Sequence, residues 1–414
     1  MKKVIVITYY WNLSIGVGKL RWMELVKSLK SKNIHPIVYT VGNNNEEKVF
    51  DDYTIVTRKI FDINSLFSKV FKTNYSSGVV DSSESTLVKI FSWFRVNLLY
   101  PDPRIFWSKS SVKFLTKYMK KNNIQTVITT APPHSMHTIG YRLKKILKIN
   151  WIADFRDPYV NWDILLNMKP TFISSKIHTY YQNLFLNNAD KIVVTNTCLY
   201  DEFSKIVSTN KLRVITNGSN IKPVKSSKNK RFVLSYFGLI NKFRDPINFL
   251  NALEEMVSED KVFKSTLELN FYGNIQKSTI DYLKNNRTLC GLFNYYPNIN
   301  NSKINKIIPK SSLLLLLLNN EKKQNTTPYK LFDYLVSERP ILTLGDFENK
   351  HVDTLLRTYN RYNRISYTDI ESIKSTVKKC FSQFLKGKLD NISSDYSKLR
   401  YDNISKEYKE VIFS

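Results

Sequence analysis

TTPYKLFDYLVSERPIL, residues 326–342, predicts a helix followed by a buried strand. Thr327 is a good N-cap and Pro328 suits the first helical position, and apolar residues recur behind them at core-facing spacing. Lys330 falls in the first turn, where free backbone N–H groups favour an anion, and Asp333 lies three residues further on the same side. The helix thus offers a cation to a phosphate and a carboxylate to a sugar hydroxyl. An ordinary amphipathic helix with an exposed ion pair is the alternative interpretation.

The segment resembles the nucleotide-sugar clamp of glycosyltransferases with the GT-B fold, most closely that of the family 4-like (group 1) enzymes of bacterial polysaccharide biosynthesis. The resemblance implies an α/β chain with two facing Rossmann-like domains and an interdomain cleft. It gives Asp333 the role of holding the donor ribose, with Thr327 and Lys330 also on the donor. The family often has a second acid eight positions earlier, near the transferring sugar. This chain has Asn325 there, whose amide can hydrogen-bond sugar hydroxyls but supplies no charge.

The length and composition fit a two-domain enzyme. The chain has 414 residues, of which 42% are hydrophobic, enough for two cores. The apolar run 313–318 is far shorter than the roughly 20 residues of a spanning helix, so it predicts a buried strand. The apolar residues after Lys2-Lys3 likewise predict a first strand rather than a secretion signal. Three cysteines without metal or disulfide spacing favour a cytoplasmic protein.

The charge is strongly positive. There are 63 Lys and Arg against 35 Asp and Glu, a net charge of +28, which attracts anions. Part of this excess reflects a chain rich in Lys, Asn and Ile throughout. Because no zinc-finger spacing or aromatic RNA-binding signature is present, nucleic acid is not expected as a partner. Phosphorylated substrates and an anionic membrane surface remain as the expected partners.

Strands and helices alternate from the start of the chain, as in parallel α/β domains. A strand at 3–9, a helix at 20–30 and a strand at 34–40 form a βαβ unit, with Gly16 and Gly18 in its first turn. Such a turn can approach a phosphate closely, although the third glycine of a dinucleotide fingerprint is missing. The resemblance implies that this turn borders the cleft, so both glycines are candidate donor-binding residues.

Two stretches, 58–72 and 87–100, mix basic residues with apolar and aromatic ones. Segments of this kind can lie on an anionic leaflet, where each basic residue contributes on the order of 1 kcal/mol. The alternative is that they are helices packing inward within the first domain.

Polar clusters follow two predicted strands, 126–130 and 151–153. His134 and Ser135 come after the first strand, and Ala-Asp-Phe-Arg-Asp-Pro, residues 153–158, ends the second. Ligands of open α/β sheets bind beyond the carboxyl ends of strands, although two acids around an arginine can also be a structural ion-pair cluster. The motif at 153–158 also resembles that of a subgroup of family 4-like glycosyltransferases. That resemblance implies an acceptor-side role for His134 and Ser135, and catalytic roles for Asp154, Arg156 and Asp157.

The predicted domains are 1–219 for the acceptor side, a polar linker at 220–231, and a nucleotide-sugar-binding domain at 232–395. The resemblance implies that a last helix, within 396–414, crosses back onto the first domain.

A predicted strand at 232–238 opens the second domain and ends at Gly238. Lys242 and Arg244 follow in a loop that resembles the family's pyrophosphate loop, where a glycine lets the backbone approach and two cations neutralise a diphosphate. A basic surface turn is the alternative. Gly273 ends the next predicted strand and is a further donor-binding candidate, and residues 272–274 and 294–296 are expected to border the base.

Together these features predict a cytoplasmic glycosyltransferase, peripheral at the inner face of the cell membrane. It would move a sugar from a nucleotide diphosphate sugar to a glycan or lipid-linked acceptor, with retention. Lys242, Arg244 and Lys330 would stabilise the leaving diphosphate, so neither a metal nor another cofactor is expected. Two alternatives remain: a non-catalytic basic adaptor of a polysaccharide assembly, and a nucleotide-sugar epimerase of the same fold.

Overall fold

The computed structural model describes residues 1–12, 17–59, 86–224, 230–297, 299, 301–320, 326–361, 363–389, 392 and 394–414. The chain divides into two units. The first unit comprises residues 1–217 with 401–414, and the second unit comprises residues 218–400.

The first unit is built on an eight-stranded sheet. Its strands are β1 (Lys2–Ile7), β2 (Ile34–Gly42), β3 (Glu46–Val49), β4 (Thr54–Lys59), β5 (Thr126–Ala131), β6 (Asn150–Phe155), β7 (Lys191–Val194) and β8 (Leu212–Val214). Their order is β3-β4-β2-β1-β5-β6-β7-β8, parallel throughout except for the antiparallel pair of β3 and β4. The carboxyl ends of β1, β5 and β6 therefore meet at one edge of the sheet.

Helices flank this sheet, and several of them bury apolar side chains against it. They are α1 (Leu20–Leu29), α2 (Thr86–Leu98), α3 (Ile105–Lys121), α4 (Ser135–Leu147), α5 (Asp163–Asn167), α6 (Phe172–Asn188), α7 (Thr197–Phe203) and the last helix, α15 (Tyr401–Phe413). Helix α1 buries Trp22, Leu25 and Val26 against strand residues and against α15. The last helix thus packs within the first unit.

The second unit holds a six-stranded, all-parallel sheet. Its strands are β9 (Phe232–Phe237), β10 (Leu267–Tyr272), β11 (Phe293–Tyr296), β12 (Leu313–Leu317), β13 (Ile341–Leu344) and β14 (Arg364–Ile365), in the order β11-β10-β9-β12-β13-β14. All five leucines of β12 are buried, because a parallel sheet covered on both faces needs a continuous apolar strand. The helices are α8 (Ile247–Glu259), α9 (Lys261–Thr266), α10 (Lys277–Asn285), α11 (Asn301–Ile307), α12 (Tyr329–Val336), α13 (Lys350–Thr358) and α14 (Ile370–Leu385).

The predicted α/β class with two parallel-sheet domains is confirmed. The observed division between the units lies at 217/218 and at 400/401. The segment suggested as a linker, 220–231, belongs to the second unit as far as it is described, because Ile221 packs in that unit's core. The part of the basic stretch 58–72 beyond Lys59 lies outside the described residues, whereas 87–98 is helical. Within the described ranges, the helices are too short or too polar to cross a membrane.

Candidate functional site

Two glycines end neighbouring strands of the second unit. Gly238 follows β9 with a φ of 128° and Gly273 follows β10 with a φ of 123°, values that residues with a Cβ rarely adopt. The Gly273 N–H donates to the Tyr296 carbonyl at 3.0 Å, and a Cβ on Gly273 would lie 2.3 Å from the carbonyl oxygen of Gly238. Gly238 itself is exposed. The backbone at this edge therefore requires glycine and leaves room for a ligand to approach closely.

Lys330 extends from α12 across the end of β9. Its ammonium nitrogen lies 3.9 Å from the ring centroid of Tyr236 and 3.3 Å from the position that a Cβ on Gly238 would occupy. This nitrogen is buried, and within the described part of the chain it has no hydrogen-bond partner. Burial holds the pKa of Lys330 well below its usual value, and the nearby charge of Arg244 lowers it further. A bound anion would supply the missing partner and favour the charged ammonium.

Two more buried polar atoms have no hydrogen-bond partner among the described residues, Nε of Arg244 and Oγ1 of Thr327. The loop that carries Arg244 is held beside the end of β12, because the Asn320 N–H donates to the Phe243 carbonyl at 2.8 Å. The structure therefore brings unsatisfied polar groups from α12 and from the β9–α8 loop to the same end of the second sheet.

Lys242 differs from Arg244, its predicted partner in the same loop. Its side chain is exposed, and its ammonium lies 4.9 Å from the Phe243 ring centroid. Lys242 is thus a solvated cation at the surface of the loop, whereas Arg244 is partly buried and influences Lys330.

Helix α12 begins later than the sequence predicts. Pro328 occupies the N-cap position with an extended ψ of 126°, no side chain caps the helix, and Tyr329 is its first residue. The expectation that Thr327 is the N-cap is therefore wrong, because the extended Pro328 separates it from the helix. Asp333 lies half-buried in the middle of the helix, one turn after Lys330, as the spacing predicts.

Three aromatic rings form a ladder across the ends of β9, β10 and β11. Phe237 stacks on Tyr272 with ring centroids 4.6 Å apart, and Tyr272 stacks on Tyr296 at 4.8 Å, with ring planes within 10° of parallel. The first two rings are buried, but Tyr296 is 42% exposed. The ladder therefore ends in a supported aromatic side chain that a flat ligand such as a base can contact.

Two predicted donor-binding residues, Gly16 and Asn325, lie outside the described residues. Gly18 is described and contacts Arg156, whose guanidinium donates to the Gly18 carbonyl oxygen. A Cβ on Gly18 would lie 2.8 Å from a terminal nitrogen of that guanidinium. The hydrogen bond between Arg156 and Gly18 thus links the turn after β1 to the end of β6.

Asp154 is fully buried in the first unit. Its carboxylate accepts hydrogen bonds from the Trp22 indole at 2.8 Å and from the Tyr408 hydroxyl at 2.9 Å, and the Arg21 guanidinium lies 3.9 Å away. The prediction that Asp154 orients a sugar is therefore corrected, because no part of its carboxylate is accessible and both oxygens are used internally. Asp154 anchors α1 and the last helix, α15, to the end of the sheet.

Arg156 also has internal partners. Its guanidinium donates to the carbonyls of Gly18, Ala131 and Pro132, which lie in the turn after β1 and at the end of β5. Burial lowers the pKa of Arg156, and neighbouring acids oppose this shift. The guanidinium thus holds two loops together at the edge of the sheet, and the sugar-orienting role expected of this partly exposed residue stays a prediction.

Asp157 is the remaining acid of this cluster. It is half-buried, and no hydrogen bond to its carboxylate is present among the described residues. Burial raises the pKa of Asp157 to about 6, while the positive charge of Arg156 opposes this rise. Of the two carboxyl groups in this cluster, Asp157 is therefore the one that can serve a ligand.

His134 and Ser135 follow β5, as predicted, but their surroundings differ. The His134 ring is buried and stacks on Tyr159 with centroids 4.2 Å apart, and its Nε2 has no hydrogen-bond partner within the described ranges. Burial holds the pKa of His134 well below the usual value, so the ring is neutral. Ser135 is fully buried, and both its N–H and its hydroxyl donate to Asp102. The acceptor-side role of Ser135 is therefore corrected to a structural one at the start of α4.

Sequence reasoning missed Tyr236 and Asp102, and it placed Tyr296 near the base without anticipating that this ring stacks on Tyr272. Tyr236 precedes Gly238 by two residues, so strand alternation could have indicated that its side chain lies near the end of β9. Asp102 precedes the helix it caps by 33 residues, and local spacing gives no signal for that contact. The described residues contain no cluster of three or more His, Cys, Asp or Glu side chains that could hold a metal ion.

The two parallel-sheet units define a class, the GT-B fold. Solved glycosyltransferase structures share this fold with the chain over nearly its whole length. A glycosyltransferase from Rickettsia africae is 13% identical, with a TM-score of 0.62 and coverage of 99% of this chain and 97% of the other. The protein Alr3699/HepE from Anabaena, in complex with UDP, is 11% identical with a TM-score of 0.59, covering 99% of each chain.

A third similar structure, described as trehalose-6-phosphate from E. coli bound with UDP-2-fluoro glucose, is 9% identical with a TM-score of 0.60, covering 98% of each chain. No family model and no curated protein matches the sequence. At these identities the likeness establishes the fold alone.

Proposed function

We propose that this protein is a glycosyltransferase that moves a sugar from a nucleotide diphosphate sugar to a glycan or lipid-linked acceptor. The observation that carries the proposal is the buried Lys330 ammonium beside Gly238, which has no hydrogen-bond partner among the described residues. An isolated buried ammonium is unfavourable, so its retention is explained by a ligand that carries negative charge.

The diphosphate binds at the carboxyl ends of β9 and β12 in this proposal. Lys330 and Arg244 supply positive charge, the Thr327 hydroxyl supplies a hydrogen bond, and Gly238 lets the phosphates approach the backbone. Charge-assisted hydrogen bonds from an ammonium and a guanidinium are the interactions that recognise phosphate most strongly. All three polar atoms concerned are buried and lack partners within the described residues.

The nucleoside part of the donor is assigned to two neighbouring features. Asp333, one turn beyond Lys330, accepts the ribose hydroxyls, as the family resemblance implies. Tyr296, at the exposed end of the aromatic ladder, stacks on the base. Rings that are already stacked lose little conformational entropy when a base binds.

Transfer proceeds with retention in this proposal. The bond between the anomeric carbon and the phosphate oxygen breaks, its electron pair stays on the diphosphate, and the acceptor oxygen forms the new bond on the same face. The acceptor proton passes to a phosphate oxygen of the leaving group. Lys330 and Arg244 stabilise the charge that develops on this diphosphate, so no metal is needed in this mechanism.

The acceptor is assigned to the first unit. Asp157 is half-buried at the end of β6, and His134 has an unsatisfied Nε2 at the end of β5. A neutral imidazole and a carboxyl group of raised pKa can both hydrogen-bond sugar hydroxyls.

The family 4-like group, cell-surface polysaccharide synthesis and a cytoplasmic setting at the membrane are part of the same proposal. They are supported by the family resemblance and by the charge of +28. The UDP and UDP-sugar ligands of two similar structures support a uridine nucleotide as the first donor to test.

Melting curves with UDP, GDP, ADP and dTDP, each with and without a chelator, test the proposal. A nucleoside diphosphate at 100 times its Kd should stabilise the protein by about 2.7 kcal/mol, and the chelator should not remove this shift. A non-catalytic adaptor would show no shift with any nucleotide. An epimerase would show the shift but would convert the nucleotide sugar without an acceptor, so product analysis with the stabilising nucleotide's sugars separates it from a transferase.

A further inference from the structure

Helix α2 is turned the opposite way from an ordinary surface helix. It buries Ser92, Val96 and Asn97, whereas four large apolar residues, each 40–62% exposed, occupy its outer side: Ile90, Trp93, Phe94 and Leu98. Apolar side chains on the outside of an amphipathic helix have no role in the core of the unit that carries it.

The start of α6 shows the same reversal. Phe172 and Ile173 are 74% and 70% exposed, whereas Ser174 and His178 are buried. The polar residues therefore point toward the protein and the apolar residues point away from it.

The buried polar residues join the two helices. The Asn97 side chain accepts a hydrogen bond from the Thr171 N–H at 2.7 Å, and the Ser174 hydroxyl donates to the Val96 carbonyl at 2.8 Å. These bonds hold the end of α2 beside the start of α6, where the exposed Leu98 and Phe172 lie. We call the exposed residues Ile90, Trp93, Phe94, Leu98, Phe172 and Ile173 the α2/α6 surface.

Charge indicates what covers this surface. The sequence has no Asp or Glu in 86–101 or in 164–189, and both stretches contain Lys or Arg. Lys89 is exposed beside Ile90, and the Lys176 ammonium lies 4.5 Å from the Phe172 ring centroid. An apolar surface whose own two helices carry basic but no acidic residues complements the acyl chains and anionic headgroups of a leaflet, and tryptophan suits that boundary.

We infer that the α2/α6 surface docks on an anionic phospholipid membrane. The inference is independent of nucleotide binding, because all of these residues belong to the first unit. Helix α2 lies along the membrane plane, with its aromatic residues at the level of the headgroups and the lysines beside them.

The test is flotation of the full chain with vesicles of phosphatidylcholine alone or mixed with phosphatidylglycerol. The protein should bind only the mixed vesicles, and binding should fall when 1 M salt shortens the screening length to about 3 Å. Replacing Trp93, Phe94 and Phe172 together with Ser should weaken binding by at least about ten-fold. The melting curve should stay unchanged, since these side chains are exposed.

A matched control replaces exposed apolar residues elsewhere, Val49→Ser, Ile146→Ser and Leu385→Ser, and should bind vesicles as the unchanged protein does. Equal vesicle binding by the test and control variants would overturn the inference. A lower melting temperature for the test variant would also overturn it, because the surface would then be covered by another part of the chain, such as 60–85. Binding to no vesicle, with a change in oligomeric state in the test variant, would assign the surface to protein contacts instead.

Discussion

The Lys330 ammonium nitrogen lies 3.9 Å from the ring centroid of Tyr236, and no described residue accepts a hydrogen bond from it. A desolvated cation–π contact is worth about 2 kcal/mol, which offsets only part of the cost of removing an ammonium from water. The protein thus keeps a lysine whose nitrogen contributes little to its own fold at the glycine-lined end of a parallel sheet.

Replacing Lys330 with Met should therefore leave the melting temperature unchanged or raise it, because a buried nitrogen without a hydrogen-bond partner among the described residues is removed. Affinity for the nucleoside diphosphate that stabilises the protein should fall by about ten-fold or more, since a charge-assisted hydrogen bond contributes about 1.5–3 kcal/mol. Calorimetry and melting curves measure both effects. Lys264→Met, at an exposed position on α9, is the control and should change neither. Loss of folding in Lys330→Met would contradict this role.

Replacing Arg244 and replacing Lys242 should have different effects on kcat, although the two residues lie in the same loop. Arg244→Gln should lower kcat more than it raises KM, because the charge on the leaving diphosphate is greatest in the transition state. Lys242→Gln, at an exposed position, should change kcat less than about three-fold. Steady-state rates for both variants, with and without chelator, provide the comparison. A rise in KM alone for Arg244→Gln would assign this residue to ground-state binding.

Asp333→Asn should weaken nucleotide binding by about ten- to hundred-fold with the fold intact, because a carboxylate accepts ribose hydroxyls more strongly than an amide does. The unchanged protein should bind a 2′,3′-dideoxy nucleoside diphosphate correspondingly more weakly. The variant should discriminate little between the two nucleotides, so calorimetry on the four combinations forms a double-mutant cycle. Full discrimination by the variant would place the ribose elsewhere.

Asp154→Asn should destabilise the first unit by about 3–5 kcal/mol, because it leaves the buried Arg21 without its acid. The Trp22 indole and the Tyr408 hydroxyl both donate to the Asp154 carboxylate. The NH₂ group of an asparagine is itself a donor, so it would face one of these two donors without forming a hydrogen bond. Tyr408→Phe removes a buried hydroxyl that donates to Asp154 and accepts from Arg21, and it should cost about 1.5–3 kcal/mol. Urea denaturation measures both variants, and an Asp154→Asn protein of normal stability would remove the structural role.

Asp157 should make stability depend on pH in the opposite direction from an ion-paired acid. Its folded pKa of about 6 lies above the ordinary 3.8, so the folded state keeps a proton that the unfolded chain has lost. The free energy of unfolding therefore falls as the pH rises from about 4 to about 6. Because the side chain is half-buried, Asp157→Asn should be more stable than the unchanged protein by only about 1–2 kcal/mol at pH 7 and equally stable at pH 4. Denaturation at both pH values checks this, and an equal difference at both would refute the assignment.

The sequence alone determined the alternation of strands and helices and the polar residues at the strand ends. Alternation fixed β5, β6 and β9 to within a few residues, because apolar runs of strand length bounded by glycine or proline have few other solutions. The spacing of Lys330 and Asp333 on one helix was also local, since residues three apart in a helix lie on the same side.

Tertiary structure alone decided which polar residues are used internally. Asp154 and Asp157 stand three positions apart in one motif, yet the first is enclosed by Trp22 and Tyr408, which are 132 and 254 positions away in the chain, while the second stays half-buried. Nothing in local spacing encodes such contacts, because they form only when the sheet brings α1 and α15 against the same strand end. The same holds for Lys330, whose lack of a hydrogen-bond partner among the described residues follows from how α12 packs over Tyr236.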